Sequence, residues 1–87
     1  MTSAQLELFH HIADPASAVA RRYVVDYGLE DRVRFRNLTY PEVEADFHRL
    51  GGKTAPALWD GTHLHQGAEA VVARLQAVVN LGRDGDT

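Results

Sequence analysis

The sequence predicts an α/β fold in the order β-α-β-α-β-β-α, a four-stranded mixed sheet flanked by three helices. Three observations carry this expectation. Strand-like runs alternate with helical spacing over the first fifty residues, which implies a right-handed crossover between two parallel strands. Asp60-Gly61, between two short apolar runs, is the strongest hairpin signal in the chain and makes the last two strands antiparallel. From Ala68 an apolar helical stripe supplies a face that can cover the sheet.

Each element has its own signature. Gln5 to Ile12 reads as a strand closed by the Ala13-Asp14-Pro15 turn. A helix starts at Pro15, with Ala18, Val19, Arg22 by its stem, Tyr23 and Val25 as its expected apolar stripe and Gly28 as its C-terminal cap. Arg32 to Leu38 alternates as a second strand. Pro41 opens a second helix carrying Val43, Phe47 and Leu50 on one face, and Gly51-Gly52 ends it. Ala57-Leu58-Trp59 and His63-Leu64-His65 are the hairpin strands. The last helix buries Val71, Val72, Leu75, Val78 and Val79, and Gly82 is its expected stop. The organisation expected is an extension over 1–4, a single domain over 5–82 and a flexible tail over 83–87.

Bulk properties exclude several function classes. At 87 residues the chain makes one modest core. A net charge of -3 and a pI near 5.9 argue against nucleic-acid binding, which needs a basic stripe. The chain has no cysteine, which removes disulfides, thiolate catalysis and cysteine metal sites. No apolar run approaches the ~20 residues that cross a bilayer, and no secretory signal is visible, so a cytoplasmic protein is expected.

Asp14-Pro15 is an N-cap signature: the carboxylate accepts an N–H of the first turn, and proline at N1 gives up a donor that would be orphaned anyway. Ser17 lies at N3, where its hydroxyl either completes the turn or donates to a ligand sulfur. His10 and His11 are adjacent on a strand and point to opposite faces, so they cannot grip one metal together. No spaced set of His, Asp and Glu of recognised type occurs, and no metal site is expected. Arg32, Arg34 and Arg36 fall on one face of their strand. They form either a docking stripe for an anionic partner or a charged edge that opposes aggregation.

The element order, with Thr54-Ala55-Pro56 opening the third strand, resembles the thioredoxin fold in its glutaredoxin form and the N-terminal domain of glutathione transferases. The resemblance covers about residues 5 to 80. Asp14-Pro15-Ala16-Ser17 stands where glutaredoxins carry Cys-Pro-x-Cys, and Pro56 matches their cis-proline. Pro56, Leu58, Asp60, Gly61, Leu64 and Gln66 match a transferase pattern. Gly67 replaces the serine that in transferases holds the γ-glutamyl carboxylate of glutathione, and Glu69 stands in for the glutaredoxin acid.

The resemblance implies a ligand groove built from Asp14, Pro15, Ser17, Lys53, Ala55, Pro56, Gln66, Gly67 and Glu69. Ala55 offers its backbone there, and Lys53 pairs with a ligand carboxylate. Because the thiols are missing, the expected function is a redox-inactive glutaredoxin-like protein. It would bind a protein partner or a peptide-like ligand, with no cofactor and glutathione as a possible ligand. The alternative is a glutathione-dependent, transferase-like enzyme in which Ser17 or His11 orients a ligand thiol. A third reading is an adaptor whose last helix and edge strand dock a larger assembly.

Overall fold

The structure, a computed structural model, describes residues 6–85, and side chains up to residue 80. The expected extension over 1–4 and the end of the expected tail lie outside the described residues. The elements are β1 (Leu6–His10), α1 (Pro15–Asp26), β2 (Val33–Asn37), α2 (Pro41–Arg49), β3 (Ala57–Trp59), β4 (Leu64–Gln66) and α3 (Ala68–Gly85). The sheet order is β2-β1-β3-β4, with β1 parallel to β2 and antiparallel to β3, and β3 antiparallel to β4. This is the thioredoxin-like arrangement expected from the sequence.

The alternation of β1 divides the core into two layers. Leu6 and Leu8 turn to one face and pack with Ala20 and Val24 of α1, Val33, Leu58, and Val71 and Leu75 of α3. Phe9 turns to the other face and packs with Leu38, Ala57, and Val43 and Phe47 of α2. Its ring lies 5.4 Å from that of Phe47. Leu8, Phe9, Leu58 and Leu75 are fully buried. Each contributes about 1.5–3 kcal/mol relative to an exposed position.

Local chemistry sets the element ends. Asp14 caps α1 by accepting the Ser17 N–H at 3.0 Å. Gly28 follows α1 with φ +64, the left-handed conformation that ends a helix at no steric cost to glycine. Gly52 is required for a different reason: a Cβ there would stand 2.4 Å from the Phe47 ring, so only hydrogen fits. The Ala55–Pro56 peptide bond is cis.

Two sequence expectations need correction. The buried face of α1 is Ser17, Ala20 and Val24, with Tyr23 partly buried, whereas Ala18, Val19, Arg22 and Val25 are exposed. Apolar residues surround most of this helix, so hydropathy does not fix its phase. The buried row also starts with a serine, which a hydropathy reading passes over. Secondly, α3 runs to Gly85 and does not stop at Gly82. A glycine inside a helix costs about 1 kcal/mol against alanine, which the preceding turns can carry.

The arginine row also resolves into distinct roles. Arg36 is largely buried and bridges Glu7 on β1 and Asp46 on α2, and Arg49 shares Asp46. Its guanidinium lies 5.3 Å from the Phe9 ring centroid. Arg36 is therefore a clamp between the sheet and α2, while Arg32 and Arg34 are exposed. Trp59 is partly buried against the α2 side of the core, and Tyr40 is exposed at the start of α2.

Candidate functional site

A groove of about 350 Å³ opens between the β1–α1 turn, α2 and the segment leading to Pro56. His11 and Asp14 line it from the turn, Lys53 and Ala55 from the opposite rim, and Leu38, Glu44, Phe47 and His48 from the floor and the α2 wall. Four of the residues expected at the site, His11, Asp14, Lys53 and Ala55, are thus brought together.

The turn is closed on itself. Ser17 is fully buried. Its hydroxyl donates to Asp14 Oδ2 at 2.8 Å and accepts the His11 N–H at 3.1 Å. The same carboxylate oxygen takes the Ser17 N–H. The Ser17 hydroxyl is the main reason the Asp14 carboxyl sits below the usual carboxylate range. The N–H groups of Ser17 and Ala16 add to this effect, and desolvation opposes it. Where a thiolate would draw on the N–H donors of a helix start, a carboxylate already holds one of them. Ser17, read from the sequence as either completing the turn or donating to a ligand sulfur, is spent within the turn and is fully buried.

Arg21 ties the turn to α1. Its guanidinium donates to the carbonyls of His11 and Ile12 at 3.0 and 3.3 Å and lies 3.2 Å from His10 Nδ1. His10 is 4% exposed, and its ring packs edge-on to Phe35. Burial, followed by the nearby charges of Arg21 and His11, holds the His10 pKa below the ordinary imidazole value. A neutral His10 can accept from Arg21, which fixes its tautomer. Between them, these contacts place the backbone that presents His11.

The opposite rim is built by Gln66. Its Oε1 accepts the N–H groups of Lys53 and Thr54 at 2.7 and 2.9 Å, and its Nε2 donates to the Gly51 carbonyl at 3.4 Å. Gln66 thus holds the segment that carries Lys53 and Ala55 and does not itself line the groove. Gly67 has φ +94 and donates its N–H to the Pro56 carbonyl at 2.8 Å, starting the turn into α3. Pro56 is fully buried behind Ala55. Pro15 and Glu69 are exposed at the first turns of α1 and α3, outside the groove lining.

Sequence reasoning missed the α2 wall. Glu44 and His48 stand one helical turn apart, with Nε2 and Oε2 separated by 3.9 Å. The i,i+4 Glu-His spacing on a helix opened by proline was the available signal. With Asp14 held by Ser17 and Glu44 facing His48, the ammonium of Lys53 is the groove's uncommitted cation among the described residues. No group of three or more potential metal ligands gathers among them. His63 and His65 lie on the far edge of the sheet, where His65 Nε2 is 2.8 Å from Asp60 Oδ2.

Comparison with known structures agrees with this fold. A solution structure of glutaredoxin from Brucella melitensis matches with a TM-score of 0.60 and 17% identity, over 94% of this chain and 95% of that one. At that identity the likeness establishes the fold: a glutaredoxin-like member of the thioredoxin fold, here without cysteine. No protein-family model and no curated protein matches the chain. No helix among the described residues is long and apolar enough to cross a membrane.

Proposed function

We propose that this chain is a redox-inactive glutaredoxin-like protein that binds an extended, peptide-like ligand in the groove beside Pro56. The ligand is a segment of a partner protein or a glutathione-like tripeptide. One observation carries the reading: the rim bearing Lys53 and Ala55 is held by Gln66 across from His11 and a turn whose own polar groups are already paired. Such a groove offers backbone at Ala55, a cation for a carboxylate and an apolar floor at Leu38 and Phe47. It offers no thiol, so disulfide exchange is excluded by composition.

Amide NMR titration with reduced glutathione and with a pool of short extended peptides tests it. Saturable shifts at His11, Lys53 and Ala55 are expected.

A second reading keeps an enzyme. His11 is exposed on the groove wall, where its imidazole can orient the thiol of a bound tripeptide. Glutathione conjugation that disappears in His11→Ala supports that role. Rates equal to the uncatalysed reaction in the parent protein remove it.

A further inference from the structure

β2 is an open edge of the sheet, and none of its residues lines the groove. The Leu6 N–H reaches the Arg32 carbonyl at 3.1 Å, and the parallel register then turns the backbone groups of Arg34 and Arg36 toward β1, while the Arg32 N–H donates to the Leu29 carbonyl. Alternation then turns the N–H and C=O of Phe35 outward, ready to pair with another strand. Side chains alternate in the other sense. Phe35 is 41% exposed on the α1 side and, with Ala18, Arg21, Arg22, Val25 and Asp26, lines a depression of about 620 Å³ in which Asp26 is paired with Arg22 at 3.7 Å.

On the α2 side the edge carries the arginine row. Glu7, Arg36, Asp46 and Arg49 neutralise one another, two charges of each sign. Arg34 on β2 and Arg32 in the turn just before it are exposed and make no ion pair among the described residues, so the row itself is left positive. Glu30 and Asp31, also exposed, share that turn with Arg32 and offset its charge at the start of the edge, so Arg34 is the unpaired charge within β2.

We infer that the β2 edge accepts an extended acidic segment of a partner protein as a fifth strand. An acidic residue faces Arg34, and the flanking apolar residues cover Phe35 and the depression beside α1. The occupant follows from charge. An antiparallel second copy would set arginine opposite arginine on the α2 side, and like charges directly opposed destabilise a strand pair. A segment alternating acidic and apolar residues satisfies both faces and the outward backbone groups of Phe35. This surface is separate from the groove, and its test does not depend on the groove being occupied.

The experiment is an amide NMR titration of the full chain with a blocked alternating Glu-Val peptide and, as control, its Lys-Val counterpart. Saturable shifts centred on Arg34, Phe35 and Arg36 are expected with the acidic peptide only, weakening as salt is raised. In Arg34→Glu, an exposed position whose spectrum reports folding, affinity falls about tenfold, as expected for reversing one exposed charge pair. Three results overturn the inference. They are absence of shifts at millimolar peptide, equal response to the basic peptide, and shifts at these residues that depend on protein concentration alone.

Discussion

Ser17→Ala tests the reading of the β1–α1 turn. The hydroxyl is fully buried and makes two hydrogen bonds, to a carboxylate at 2.8 Å and from the His11 N–H at 3.1 Å. A hydrogen bond to a charged group contributes about 1.5–3 kcal/mol, and a buried donor left without an acceptor costs about 1–3 kcal/mol. Alanine's better helix propensity returns about 0.5 kcal/mol. Partial rehydration of the His11 N–H reduces the sum, leaving a loss of about 2 kcal/mol. For a domain of this size that lowers Tm by about 8–16 °C.

Urea and thermal unfolding followed by circular dichroism measure it, and the groove's affinity for peptide in the folded variant should change less than twofold. A stability loss under about 0.5 kcal/mol, the range of an ordinary surface change, would refute the reasoning. So would unchanged stability with lost ligand affinity, because that pattern belongs to a serine facing the ligand.

Two further predictions rest on other contacts. Gly52→Ala forces a Cβ into the Phe47 ring and is expected to cost about 1–3 kcal/mol, with aromatic and methyl NMR shifts spreading from Phe47 into the groove floor. Asp60 accepts N–H groups from His63 and Thr62 and pairs with His65, and these bonds, His63's foremost, hold its carboxyl well below the usual carboxylate range. A depressed carboxyl contributes stability that is fully present above about pH 4 and is lost as pH falls toward the folded-state value. Asp60→Asn should therefore destabilise the protein at pH 7 and flatten the acid limb of a stability-against-pH curve.

Much of the fold was legible because turn chemistry punctuates this chain so clearly. Asp14-Pro15, Gly28, Pro41 and Asp60-Gly61 mark element ends by local physics, independent of what packs on them. The phase of α1 was not legible. Its apolar residues occupy most of the circumference, and the position that decides the phase is a serine made compatible with burial by Asp14 and His11. Arg36 was read with Arg32 and Arg34 because its partners are distant in sequence, 29 and 10 residues away.

The site was half legible for a similar reason. His11, Asp14, Lys53 and Ala55 flank turns whose signatures are local. Gln66 was expected among the ligand-contacting residues, but its amide supports the rim from thirteen residues away. The α2 wall of Glu44 and His48 depends on how that helix seats on Phe9 through Phe47. The i,i+4 spacing marks Glu44 and His48 as a pair, but no local pattern reports which way that helix seats them.

The central claim is that the groove beside Pro56 receives an extended ligand without thiol chemistry. The most direct measurement is the amide NMR titration with reduced glutathione and short extended peptides. Saturable shifts at His11, Lys53 and Ala55, with the Ser17 amide little changed, are the predicted result. No response from those amides at millimolar ligand, or shifts confined to another surface, would contradict the account.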